Sequence, residues 1–254
     1  MLSIPKEDAV KAYIKIQDLT DEEFIENHYI VFGTRRGLVK KTLVEAFSRP
    51  RSGGIIAINI NEGDQLLEAK LTNGDSEVFI ATRGGFCIRF PESAVRPMGR
   101  SAAGVRGINL ADEEDAAIGM VCLDPEDKEQ TIMVISEKGN GKRSHFEEYR
   151  LTNRGGKGVK TMQVTGKTGS VVAIKAVKEE DDLMITTRSG ITIRMEVEEI
   201  RVMGRATQGV RVIRIDNGDK IADVAVVRDN GAEEEAAGEE APENGPAPEE
   251  NEGS

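Results

Sequence analysis

The chain has 254 residues, 38% of them hydrophobic and 4% aromatic, with no Trp, whereas a single large α/β core usually holds a richer apolar set. Two Cys without paired spacing, Cys87 and Cys122, and two His, His28 and His145, exclude a zinc module and argue against a disulfide-stapled secreted domain. The formal charge of −11 gathers at one end: residues 231–254 hold nine Glu and no Lys or Arg, which leaves 36 acidic and 34 basic residues in 1–230.

Residues 1–8 contain no apolar leader, and no apolar run is long enough to cross a bilayer, so the expected location is cytoplasmic, with no membrane partner. Residues 3–17 match the closing strands of a repeat whose hairpin would precede Met1, so 1–28 are expected to be part of a truncated blade. Four full units follow over 29–229. Each has a short apolar run, a turn ending in Gly, a second strand ending in a cation, a basic loop and another Gly. The first opens Tyr29-Ile30-Val31-Phe32, the second Val78-Phe79-Ile80-Ala81, the third Ile132-Met133-Val134-Ile135 and the fourth Leu183-Met184-Ile185-Thr186.

The turn glycines, Gly37, Gly85, Gly139 and Gly190, are 48, 54 and 51 residues apart, and Gly54, Gly104, Gly158 and Gly209 keep step with them. A Gly closing a hairpin supplies a positive φ. After each second Gly an alternating strand is expected, as in Val105-Arg106-Gly107-Ile108-Asn109-Leu110, then a turn and a further strand. Short helical turns are expected at 42–47, 91–95 and 197–200. Several strands per unit of about 50 residues imply an all-β, propeller-like array of blades. Residues 230–254 are too polar to offset their ordering entropy and are expected to form a disordered acidic tail.

No catalytic constellation emerges. Gly166-Lys167-Thr168 lacks the earlier Gly and the strand-to-helix setting of a phosphate loop, so it reads as a plain turn. His145 has no recognisable Ser, Cys or Asp partner. The acidic clusters at 112–115 and 179–182 lack the alternation of a calcium loop.

The cations recur in register instead. One column, at the end of the second strand, holds Lys41, Arg89, Arg143 (with Lys142) and Arg194. Another, on the hairpin turn, holds Arg35, Arg83 and Arg188, with Lys138 one place later in the third unit. The loops before the second Gly hold Arg49 and Arg51, Arg96 and Arg100, Arg150, Arg154 and Lys157, and Arg201 and Arg205. Cations at one blade position share one face, and a stripe of fixed charge suits a phosphate backbone. With aromatic stacking platforms nearly absent, double-stranded DNA is the expected ligand.

Residues Thr152-Asn153-Arg154-Gly155-Gly156-Lys157-Gly158 resemble, at five of seven positions, the Gln-Arg-Arg-Gly-Gly-Lys-Gly box of the DNA gyrase A C-terminal domain. The loops at 98–107 and 203–210 are similar to those of other blades in that domain, and the resemblance covers about residues 1–228. It implies a β-pinwheel, a disc whose blades exchange strands and whose basic rim bends DNA. It further implies a non-catalytic part of an ATP-driven type IIA topoisomerase, working with the rest of gyrase A and with gyrase B in a heterotetramer. ATP and Mg2+ would act elsewhere in that assembly, and no cofactor is expected here. The family disc usually has six blades and carries an intact box in its first; four blades and part of another are counted here, without that box. The related C-terminal domain of topoisomerase IV is the alternative reading, and a protein-interaction propeller a more distant one. The acidic tail, a tethered polyanion, is expected to compete with DNA for the rim, so that its deletion tightens wrapping.

Overall fold

The computed structural model describes residues 9–216 and 218–228; the acidic tail lies outside the described residues. The chain forms four antiparallel sheets arranged as blades. In the first, β1 (Tyr29–Thr34) and β2 (Leu38–Leu43) make a hairpin and β3 (Leu66–Thr72) pairs the other side of β1. The second repeats this with β4 (Glu77–Thr82), β5 (Phe86–Pro91) and, after a short strand β6 (Val105–Arg106), β7 (Ala117–Leu123). The third has β8 (Thr131–Ser136), β9 (Asn140–His145), short β10 (Val159–Lys160) and β11 (Val171–Val177). The fourth has β12 (Asp182–Thr187), β13 (Thr192–Glu196), short β14 (Val210–Arg211) and β15 (Ile221–Val227). This is an all-β, propeller-like fold of four blades.

The short strands belong to other sheets. β6 pairs with β2, β10 with β5 and β14 with β9, so the second, third and fourth units each donate an outer strand to the blade before them. In the first three sheets the order therefore runs from an inner strand through the hairpin to a donated outermost strand. The inner strands β3, β7, β11 and β15 contact one another in succession.

Both glycine series have positive φ, between +73° and +100°, and all but Gly54 and Gly190 mark a close approach. A Cβ on Gly85 would stand 2.4 Å from the carbonyl oxygen of Met162, and one on Gly158 2.3 Å from that of Cys87. The donated segment thus wraps the preceding hairpin turn. Gly37 accepts the amides of Gly107 and Ile108, Gly85 those of Thr161 and Met162, and Gly139 those of Val212 and Ile213. Ile108, Met162 and Ile213 bury at these junctions, each side chain contributing about 2 kcal/mol.

The strands expected after Gly104, Gly158 and Gly209 shrink to two paired residues, because the segment leaves one sheet to round the turn of another, and the strand expected at 56–60 after Gly54 does not form. Short 3-10 helices close each second strand, at Val44–Phe47, Glu92–Ala94, Phe146–Glu148 and Val197–Glu199. The third of these was not expected from the sequence, nor was helix α1 (Glu22–Asn27), which Asp21 caps through the amide of Phe24.

The central strands β4 and β8 are buried on both faces, as strands between two other blades must be. The outer face of the first blade is covered by α1 and by residues 9–20, which put Ile14, Ile16 and Leu19 against the cluster of Ile25, Ile30, Phe32 and Val44 without forming a strand. In the fourth blade burial alternates along β12 and β13, the pattern of a sheet with one open face.

Candidate nucleic-acid interface

The cations of the sequence pattern divide by position. Lys41, Arg143 and Lys142 are buried, Arg89, Arg100, Arg154 and Arg205 are half-buried, and Arg35, Arg49, Arg51, Arg83, Lys157, Arg188 and Arg194 are exposed.

The strand-end column ties blades together. Lys41 points into the next unit, where Nζ lies 3.4 Å from the carboxylate and from the carbonyl oxygen of buried Glu92, and 4.5 Å from the centre of the Tyr29 ring. Arg89 donates two bonds of 2.6 Å to Glu77 and reaches the carbonyls of Phe146 at 3.1 Å and Tyr149 at 2.9 Å. Arg143 donates to the Ile200 carbonyl at 2.7 Å and stands 3.4 Å from Glu179. In each case a cation at the end of a second strand donates to carbonyls at the following unit's 3-10 turn, adding a charged donor to groups such as Glu92 and Phe146 that also accept the turn amides of Val95 and Tyr149. Arg194 occupies the same place in the fourth blade, but it pairs with Asp182 of its own hairpin and its side chain is 65% exposed.

The loop before the second Gly is a second tie. Arg154 donates to the carbonyls of Ala94 at 3.0 Å and Arg106 at 3.1 Å, and Arg205 does the same one unit later with Glu148 at 2.9 Å and Lys160 at 2.8 Å. The amide of Gly155, at φ +82°, bonds the Gly107 carbonyl. Lys157 is left facing solvent, 4.7 Å from the centre of the Phe86 ring.

Two Lys are enclosed by the hairpins. Lys142 has 0% exposure and bonds Ser144 Oγ at 2.9 Å; burial, opposed by Glu148, pushes its amine down to about 8. Lys40, also fully enclosed, bonds the carbonyls of Ala57 and Arg100, and burial with the nearby Arg100 guanidinium brings it to about 8. Neither amine reaches a surface.

The outer perimeter is built of residues outside the cation columns picked out from the sequence. Arg106, Lys160 and Arg211 are the second residues of β6, β10 and β14, the outermost strands, and all three are exposed. With Arg100 and Lys157 in the loops that lead into β6 and β10, they give the first two exchanged edges a repeated basic pair. The available signal was their common place two residues after Gly104, Gly158 and Gly209. The hairpin-turn cations sit beside carboxylates: the amides of Arg36, Gly84 and Ser189 bond Asp64, Asp115 and Asp219. The Gly166-Lys167-Thr168 stretch is a turn, closed by the Gly169 amide on the Thr165 carbonyl. No helix among the described residues is long and apolar enough to cross a membrane.

Strand exchange between four like blades, with cations on the exchanged edges, defines a propeller-type module with a basic perimeter. The family model of the DNA gyrase C-terminal domain, beta-propeller, matches residues 28–73, 76–124, 130–178 and 181–228, one match for each blade. The chain belongs to that family. The DNA gyrase A protein of Staphylococcus epidermidis is 41% identical over 228 residues, which is 90% of this chain and 25% of that protein. Its Staphylococcus aureus counterpart is 40% identical over 92% of this chain and 26% of its own length. The chain thus spans about a quarter of the curated relatives it matches. A solved DNA gyrase A C-terminal domain superposes with a TM-score of 0.75 at 23% identity, covering 89% of this chain and 72% of that one. A DNA topoisomerase IV C-terminal domain gives 0.74 at 27% identity, covering 81% and 64%.

Proposed function

We propose that this chain holds double-stranded DNA along its outer perimeter and bends it, as the non-catalytic DNA-wrapping part of a gyrase A protein. The observation that carries this reading is the placing of Arg106, Lys160 and Arg211 on the donated outermost strands of successive blades. Charge at one point per blade follows a curved backbone without reading bases. Smoothly bending a 20–30 bp duplex costs on the order of 1–6 kcal/mol, which several neutralised phosphates offset.

Of the candidate cations, Arg35, Arg49, Arg51, Arg83, Arg100, Lys157 and Arg188 join the three perimeter residues as contacts. Lys41, Arg89, Lys142, Arg143, Arg154 and Arg205 serve the joints between and within blades, and Arg194 holds a carboxylate of its own hairpin. Strand cleavage, ATP and Mg2+ belong on this reading to the rest of gyrase A and to gyrase B, whose heterotetramer would use the bent segment to introduce negative supercoils.

The test is relaxed-plasmid ligation in the presence of the chain, run beside a salt titration of duplex binding. Wrapping predicts a change in linking number of the ligated product and a steep loss of affinity with salt. Binding without a linking-number change favours the topoisomerase IV type of domain, and a flat salt response refutes the basic perimeter. Removing residues 231–254 is expected to tighten wrapping.

A further inference from the structure

Each exchanged edge carries, at one repeated place, an unpaired Arg followed by an exposed apolar residue. After the 3-10 turns of the second, third and fourth units, the chain returns alongside the strand-end cation of the blade before. Pro97 lies beside Lys41, Leu151 beside Arg89 and Val202 beside Arg143, each in a parallel bridge. The backbone there is fixed. The amides of Met98, Thr152 and Met203, one residue on, bond the carbonyls of Lys41, Arg89 and Arg143 at 2.8–2.9 Å.

Burial along this return divides sharply. Val95, Tyr149 and Ile200 are at most 1% exposed, whereas two places later Leu151 is 53% and Val202 42% exposed, and Pro97 is exposed as well. Between them stand Arg96, Arg150 and Arg201, all exposed and without an ion pair or side-chain hydrogen bond among the described residues. This sets them apart from Arg154 and Arg205, whose guanidinium groups are spent on carbonyls. An isolated surface Leu needs no explanation. Three apolar residues at one blade position, each behind a free Arg, do. Pro, Leu and Val share no shape that one kind of pocket would select; they share an apolar side chain beside a cation.

The bridge lies three residues along β2, β5 and β9 from the pairs Leu38 with Arg106, Phe86 with Lys160 and Asn140 with Arg211, or about 10 Å of strand. DNA grooves are about 6–12 Å wide, so a phosphate held at the perimeter cation leaves the free Arg over a groove. A duplex bent around the perimeter is compressed where its minor groove faces the protein, and a narrowed minor groove concentrates negative potential that attracts Arg. The walls of that groove are sugar rings, a surface that an apolar side chain can cover.

We propose that Arg96, Arg150 and Arg201 enter the inward-facing minor groove, with Pro97, Leu151 and Val202 laid along its sugars, and that they give the chain a preference for narrow-groove sequence. The contact rests on the perimeter holding DNA, and adds to it a selection among sequences. Wedges driven between base steps from the minor groove kink a duplex toward its major groove, away from the protein, so the apolar residues lie on sugars and not between bases.

The 254-residue chain is titrated with a mixed-sequence duplex and with its inosine-for-guanine counterpart, which lacks the minor-groove amino group of each G·C pair. The inosine duplex is expected to bind several-fold more tightly. Combining Arg96→Lys, Arg150→Lys and Arg201→Lys keeps the charge, so the salt slope should stay as in the parent. The preference should be lost, because an ammonium gives up its water less readily than a guanidinium. Combining Pro97→Ser, Leu151→Ser and Val202→Ser, all at exposed positions, should leave melting temperature and salt slope unchanged and reduce the preference. With a steep salt response, a parent chain indifferent to the two duplexes overturns the proposal and leaves the perimeter reading standing. A preference that survives in the Lys variant, where flexibility of the inosine duplex alone accounts for it, or that is undiminished in the Ser variant, overturns it equally. A flat salt response in the parent removes both readings together.

Discussion

The same cation at the same place in two blades carries different weight, and the difference is measurable. Arg89→Ala leaves Glu77 buried without its partner and strips two carbonyls of a donor, a loss of about 3–5 kcal/mol. Arg194→Ala removes an exposed pair with Asp182, worth under about 1 kcal/mol. Denaturant melts of the two variants at dilute concentration are expected to differ accordingly. Lys142 behaves in the opposite sense. Its amine titrates near 8 when folded and near the ordinary 10.5 when unfolded, so the unfolded chain binds more protons between those values and stability rises with pH across that window. The corresponding position is Ile88 in the second blade and Ile193 in the fourth. Lys142→Ile is expected to raise stability at pH 7 by about 1–3 kcal/mol and to flatten the rise between pH 8 and 10.5, read from midpoints in a pH series. Seen from the sequence, Arg89 and Arg194 both end a strand with a cation. What separates them is whether another blade's carbonyls lie within reach, a tertiary fact no local pattern encodes. The alternation Lys40, Ile88, Lys142, Ile193 did carry a hint that the amines point inward.

At the scale of elements, the hairpins and inner strands were legible because their apolar runs and positive-φ glycines are local requirements. The donated strands were not. Their alternation, as in residues 105–110, is that of an ordinary strand, yet two residues pair and the remainder rounds a neighbour's turn. The glycines report this exchange directly. Gly158→Ala would drive a Cβ into the Cys87 carbonyl as well as straining φ at +77°, whereas Gly54→Ala meets open space and bears the strain of its φ of +79° alone. The expected losses are more than about 3 kcal/mol and roughly 1 kcal/mol, to be compared by thermal melts. Helix α1 was not legible because six residues are too few to show a helical period; the run Asp21-Glu22-Glu23 was its available sign.

For the molecule as a whole, charge is sorted by radius. The inner strands meet through pairs such as Lys175 with Glu68 at 3.4 Å, while the outermost strands present Arg106, Lys160 and Arg211 without such pairing among the described residues. If the perimeter binds DNA as proposed, neutralising these three to Ala one after another should lower the log–log salt slope in similar steps, each near ~0.9, in a binding titration. Lys142→Ile should leave the slope unchanged, since its amine never meets solvent. The net charge of −11 concealed this arrangement, and subtracting the Glu-rich end brought it into view.

Strand exchange also sets a timetable for synthesis. The first blade presents β2 as an open edge until Val105 and Arg106 arrive, more than sixty residues later in the chain. The second waits on Val159 and the third on Val210. At translation rates of about 5–20 residues per second, each of these three blades spends seconds incomplete on the ribosome, always one unit in arrears. A nascent chain whose Val105 has not yet left the ribosome should therefore be cleaved readily by protease along β2, and one whose Leu123 has emerged should be protected there.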